Sequence, residues 1–180
     1  MGILRLGIDA GHGGTDLGKV VAIGGDLVFV EKDLNLKLAI ALRAAMGPLH
    51  LLSRAGDETL KPRERAARLN SADLVLSIHH DSGANGSVNG TRFYAMSPAG
   101  LRAASALSNA LKETKRASRV IIPAEDTYPR VLTVLRRFMA PTVLVEVGFL
   151  TNVLDRGYVS NEWPGFVDAI SRTLKGLNFI

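Results

Sequence analysis

The sequence predicts an α/β fold: one domain, residues 1–180, in which a mainly parallel, twisted central sheet of about six strands lies between two helical layers. Three observations predict it. Short apolar runs alternate along the chain with amphipathic stretches of helical period. One run, Leu74-Val75-Leu76-Ser77-Ile78, is apolar on both faces, as in a parallel sheet covered on both sides. A chain of 180 residues also suits a single core, burying roughly 70% of the surface that the extended chain exposes.

Taken in order, Leu4 to Asp9 alternates like a strand and stops at Gly11-His12-Gly13-Gly14, where glycines open backbone conformations closed to other residues. His12 therefore belongs to a loop at a strand's C-terminal end. A Gly-containing stretch follows, and then Asp33 to Met46, with Leu34, Leu38, Leu42, Ala45 and Met46 on one helical face, closed by Gly47-Pro48. Glu31 falls just before this helix or in its first turn, where the dipole favours a carboxylate. Leu49 to Ser53 reads as a short strand, Pro62 to Asn70 as an Arg-rich helix, and Leu74 to Ile78 as the covered strand that His79 ends.

Asp81 to Gly90 is a polar loop leading to a strand over Thr91 to Met96. Pro98 to Lys112 is a helix with Leu101, Ala104, Leu107 and Leu111 aligned. Arg130 to Phe138 reads as a short helix. Thr142 to Val147 is a β-branched strand interrupted only by Glu146. Trp163-Pro164 opens a last helix carrying Phe166, Val167, Ile170, Leu174 and Leu177 along one side. No repeat, linker or low-complexity tract divides the chain.

Composition narrows the function classes. Hydrophobic residues make up 47% and charged residues 22%, and no apolar run reaches the roughly 20 residues of a spanning helix, so no membrane insertion is expected. With no cysteine, disulfides and thiolate ligands are excluded, and any metal must be held by His and carboxylate. A net charge of +5 and a pI near 9.8 favour an anionic partner. The basic residues are scattered and aromatics are 6%, poor material for stacking bases, so nucleic acid is not the expected partner.

In parallel α/β sheets ligands bind beyond the carboxyl ends of strands, and His12, His79 and Glu146 occupy or approach those ends. Two imidazoles and a carboxylate make a common zinc set in hydrolases, and Glu31 completes it best. Zinc held this way lowers the pKa of its water and polarises a carbonyl under attack, while a nearby carboxylate, assigned here to Glu146, moves the proton. Each residue also has an ordinary explanation. His12 could be a polar loop residue, Glu31 a dipole partner and Glu146 half of an ion pair with an Arg. Either of His79 and His80 could be structural, and strand alternation lets only one face the metal. His50 has no carboxylate or glycine pattern around it and reads as structural or surface-exposed.

The ordered motifs resemble the zinc-dependent N-acetylmuramoyl-L-alanine amidases of bacterial cell-separation enzymes, sporulation lysins and phage endolysins. The similarity lies in Ile8-Asp9-Ala10-Gly11-His12-Gly13-Gly14, in Glu31-Lys32 before the first long helix, and in Arg65 to Asn70 followed by a strand ending Ser77-Ile78-His79. It ends in Pro141-Thr142-Val143-Leu144-Val145-Glu146-Val147-Gly148-Phe149-Leu150-Thr151-Asn152. The resemblance implies zinc ligands His12, Glu31 and His79, choosing His79 over His80, and Glu146 as catalytic carboxylate. The chain departs from the pattern at Asp16-Leu17-Gly18-Lys19, at His80, and over Lys115 to Pro129.

What the resemblance implies is a zinc-dependent peptidoglycan hydrolase, cleaving the amide between N-acetylmuramic acid and the L-alanine of the stem peptide; a monomer is the separate expectation. The expected place of action is the cell wall. The first residues lack a charged region followed by a long apolar one, as a signal peptide would have. A phage-type endolysin, or a catalytic domain without its leader, is the expectation.

Overall fold

The computed structural model describes residues 4–25, 27–124 and 128–177. Its strands are β1 (Leu6–Ala10), β2 (Val20–Ile23), β3 (Leu27–Val30), β4 (Leu51–Leu52), β5 (Leu74–Asp81), β6 (Thr91–Tyr94), β7 (Ser118–Ile121) and β8 (Thr142–Phe149). Six of them form one sheet in the order β4-β1-β5-β8-β6-β7, and β2 pairs with β3 in a separate antiparallel ribbon. Every neighbouring pair in the main sheet is parallel except β6 with β8.

The helices are α1 (Glu31–Met46), α2 (Pro62–Arg68), α3 (Pro98–Glu113), α4 (Pro129–Leu135), α5 (Val153–Gly157) and α6 (Trp163–Gly176), with a π-helical turn over Tyr158–Glu162. Alternation along the strands divides them between two layers. Leu6, Ile8, Ala10, Leu74, Leu76, Ile78, Val143, Val145 and Val147 point to one face and join Leu38, Leu42, Leu107, Phe166 and Ile170 of α1, α3 and α6 in a continuous core. On the other face Tyr94 and Leu144 meet Leu135 and Val131 of α4.

Beneath β1, Arg65 of α2 donates through Nε to Oδ1 of Asp9 at 2.9 Å, and Ser77 Oγ donates to Oδ2 at 2.8 Å. Asp9 is fully buried, so the pair fixes α2 against the sheet and β1 against β5 at the strand end preceding His12. Farther across the sheet, at the carboxyl end of β8, the buried Asp155 accepts from the amides of Gly90 and Phe149, at 3.0 and 2.8 Å, and from Arg116 Nη1 at 2.7 Å. This pins the exit of β8.

Local signals set the helix starts. Ser97 accepts from the Gly100 amide at 3.1 Å with Pro98 following it, and Asn152 accepts from the amides of Leu154 and Asp155. Compared with the sequence expectation, α1 begins two residues earlier, at Glu31, while β4, α2 and α4 are shorter. The β2–β3 ribbon lies where only a Gly-containing stretch was read; Phe29 and Val21 pack against the core while Val20 and Val28 are about half exposed. Strand β7 lies inside the stretch without recognisable pattern, of which residues 125–127 are outside the described residues. Among the described residues no helix is long and apolar enough to cross a membrane.

Candidate active site

The loop after β1 is shaped around His12, whose φ of 61° lies in the left-handed region, followed by Gly13 at 138° and Gly14 at 57°. For a residue with a Cβ this costs on the order of 1–2 kcal/mol and needs fixed surroundings to persist. Gly13 and Asp16 exchange backbone hydrogen bonds at 2.9 and 3.1 Å, and the Gly11 amide donates to Ile78 at 3.0 Å.

Arg54 supplies the rest. This side chain is 1% exposed and among the described residues donates only to carbonyls: Ala10, Gly11 and Gly56 at 3.1 Å each, and Lys32 at 2.7 Å. Asn35 of α1 adds a bond to the Gly11 carbonyl at 3.1 Å.

Glu31, the first residue of α1 and 2% exposed, is the hub of the site. Its Oε1 lies 2.9 Å from His79 Nδ1 and 3.2 Å from His12 Nε2, and accepts from the His80 amide at 3.2 Å. Its Oε2 accepts from the Lys19 amide at 2.8 Å. Burial would push the Glu31 carboxyl up, but hydrogen bonds and charge from His12 and His79 hold it far below the usual carboxylate range. In return His12 is raised above its ordinary value, because Glu31 and Asp16 outweigh its burial.

Potential ligand atoms of His12, Glu31 and His79 all lie within 4.8 Å of one another, a set that could hold a metal ion. The donors suit zinc: two imidazoles and a carboxylate kept ionised, with His79 Nε2 buried and without a hydrogen-bond partner among the described residues. His80 is not in this cluster. Its Nδ1 lies 2.8 Å from Asn35 Oδ1, and burial lowers its pKa to about 3, so it stays a neutral imidazole. His50 is buried elsewhere, where Nδ1 accepts from the Leu6 amide at 3.0 Å.

Glu146 stands in register with His79 on the adjacent strand, and paired positions on neighbouring strands are only about 5 Å apart. One carboxylate oxygen, Oε2, is shielded and has no hydrogen-bond partner among the described residues. Among the described residues no ion pair joins it to an arginine. Burial first, then repulsion from Glu31 and Asp81, raises its carboxyl well above the ordinary value, with Lys19 and Arg92 opposing. The four residues open onto one cleft of about 500 Å³, walled on the far side by Arg130 and Val131 of α4.

Sequence reading missed the roles of Arg54 and Asn35, which depend on backbone groups brought in from distant segments, and noted Lys19 only within a departure from pattern. Gly18 was noted only as part of that same departure. At φ 66° it passes so close to the site that an added Cβ would lie 2.5 Å from Glu31 Oε2 and 2.7 Å from His12 Cδ2. Gly18→Ala is therefore expected to lower stability by about 1–3 kcal/mol. A melting temperature equal to that of the parent chain would refute this crowding.

A family model described as N-acetylmuramoyl-L-alanine amidase matches residues 6–173. Among curated relatives, the N-acetylmuramoyl-L-alanine amidase LytC of Bacillus subtilis is 33% identical over 153 residues, spanning 82% of this chain and 30% of LytC. The sporulation-specific N-acetylmuramoyl-L-alanine amidase of the same organism is 32% identical over 177 residues, 94% of this chain and 65% of the relative. Among solved structures, the amidase AmiC2 of Nostoc punctiforme superposes with a TM-score of 0.80 at 28% identity, covering 96% of each chain. The catalytic domain of CwlV from Bacillus (Paenibacillus) polymyxa var. colistinus gives 0.78 at 26% identity, covering 96% of this chain and 94% of that one.

Proposed function

Because this chain belongs to the N-acetylmuramoyl-L-alanine amidase family, we propose that it hydrolyses the amide joining the lactyl group of N-acetylmuramic acid to the stem peptide's L-alanine in peptidoglycan, as one catalytic unit. His12, Glu31 and His79 would hold a zinc ion, and Glu146 would carry the proton. The observation that supports this best is the juxtaposition of a two-imidazole, one-carboxylate cluster with a shielded carboxylate one strand away.

Zinc bound there would supply Lewis-acid polarisation of the scissile carbonyl and a water of lowered pKa. The remaining steps belong to the side chains. Glu146 accepts a proton from the attacking water and returns it to the nitrogen of the departing L-alanine. Its environment suits both roles, since a carboxyl raised by burial binds a proton more tightly than an exposed one. The base must be ionised to start the cycle, so activity falls as pH drops through the Glu146 pKa. Glu31 stays ionised and orients both imidazoles. Arg54 holds the His12 loop in its left-handed conformation before substrate arrives.

The test is digestion of purified peptidoglycan with and without a chelator, followed by mass analysis. Expected products are intact stem peptides with free L-alanine amino termini; chelation stops their release and added zinc restores it. Cleavage inside the stem, loss of acetyl groups from the sugars, or indifference to the chelator would each overturn the proposal. A lytic, endolysin-type role is the finer part of this reading, supported by the +5 charge facing a polyanionic wall. Clearing of a wall suspension by the purified chain is the expected sign of it.

A further inference from the structure

Beyond Glu146 the sheet carries two cations that the hydrolytic steps leave unused. Glu146 of β8 is in register with Arg92 of β6, and Arg92 with Arg119 of β7. Directly paired residues share a sheet face, so these positions form a row across three strands, with Arg119 about 10 Å from Glu146 at a spacing of about 4.8 Å per strand.

Arg92 is half-buried, and its Nε is shielded from solvent without a hydrogen-bond acceptor among the described residues. Its guanidinium lies 4.3 Å from the Phe149 ring centroid. Arg119 is exposed. Among the described residues neither arginine forms an ion pair, yet both line one cleft of about 400 Å³ with Ser87, Asn89 and Ser118.

A charged side chain on an edge strand commonly does no more than discourage pairing with another sheet, which would account for Arg119 alone. It does not account for a neighbouring arginine with a shielded, unsatisfied donor. Like charges at directly paired positions on neighbouring strands are also unfavourable. An anion seated between them would relieve the repulsion and satisfy the donor, and a carboxylate matches the guanidinium fork.

We propose that this cleft is a subsite for the carboxylate on the second residue of the substrate's peptide arm, with Arg92 and Arg119 as its recognition residues. The assignment rests on the amidase reading, which puts the cut bond beside Glu146. An extended chain advances about 3.3–3.6 Å per residue, so a carboxylate branching from the second residue past the cut lies roughly 7–10 Å away, the span from Glu146 to the arginine row. The N-acetylated sugars on the other side of the cut offer no such charge. The peptide arm therefore runs across β6 toward β7.

The test compares two soluble N-acetylmuramoyl peptides, one with a free carboxylate on the second stem residue and one with it amidated, using the parent chain, Arg119→Gln and Arg92→Gln. For the free acid, Arg119→Gln is expected to raise KM about tenfold with kcat within about twofold, since a charge-assisted bond is lost. For the amidated peptide, parent and variant should share one KM. Arg119 is exposed on an edge strand, so this variant keeps its fold; the melting temperature verifies that for both variants. Equal KM for the two peptides in the parent chain, or an equal loss on both in Arg119→Gln, overturns the subsite while leaving the amidase reading standing. Weaker binding to whole wall with unchanged muropeptide KM would mark a site for another wall anion and also overturns it. No turnover of either peptide by the parent chain overturns the amidase reading, and the subsite with it.

Discussion

Glu146→Gln is expected to lower kcat by about 10²-fold or more while zinc content and the fold are retained. The substitution is nearly isosteric and removes only the ability to take up and return a proton. The wild-type carboxylate is disfavoured by burial and by Glu31 and Asp81, so replacing it with a neutral amide should leave the melting temperature unchanged or raise it. Stability and activity then move in opposite directions, which separates a chemical role from a structural one. Turnover of a purified muropeptide, metal stoichiometry and a thermal melt on one preparation make the measurement. Turnover within about threefold of the parent chain would remove Glu146 from the mechanism.

Glu31→Gln should be as damaging by a different route. The Glu31 carboxylate serves His12, His79, the His80 amide and the Lys19 amide at once. Its charge also raises the His12 pKa. An amide in its place keeps an acceptor oxygen but offers an N–H to atoms that need an anion, so zinc affinity is expected to fall by about 10²-fold or more. A competition titration with a zinc-binding dye reads the loss directly, and activity should follow metal occupancy, recovering in part at high zinc. Zinc affinity equal to that of the parent chain would exclude Glu31 as a ligand.

The two variants probe features of unequal visibility in the sequence. Glu146 stands out because a carboxylate inside Val143-Leu144-Val145-Glu146-Val147 contradicts its surroundings, and the register with His79 follows once both strands are placed in one parallel sheet. Glu31 is harder to read. A carboxylate in a helix's first turn is ordinary, and only the fold brings both imidazoles against it. The covered strand β5 and helices α1, α3 and α6 were legible because burial imposes a strict period on their side chains. The β2–β3 ribbon lacks that constraint, with several residues facing solvent, and β7 is a four-residue edge strand whose place depends on its pairing with β6.

The antiparallel placement of β6 beside β8 depends on long-range pairing that no local window contains. Arg54 is the clearest omission. A buried arginine without a carboxylate partner looks improbable from sequence, because its four acceptors are main-chain oxygens with no side-chain signature.

Those four bonds also bear on how the molecule opens. They join the end of β1, the segment after β4 and the first turn of α1, stretches far apart in the chain, through one side chain. Releasing any one of them leaves a guanidinium donor stranded in the interior, so none can fray alone. The histidine loop therefore shares the cooperative unit of the central strands, whereas binding loops commonly come from the least protected parts of a protein. Its amides should exchange with solvent only as slowly as the core itself unfolds.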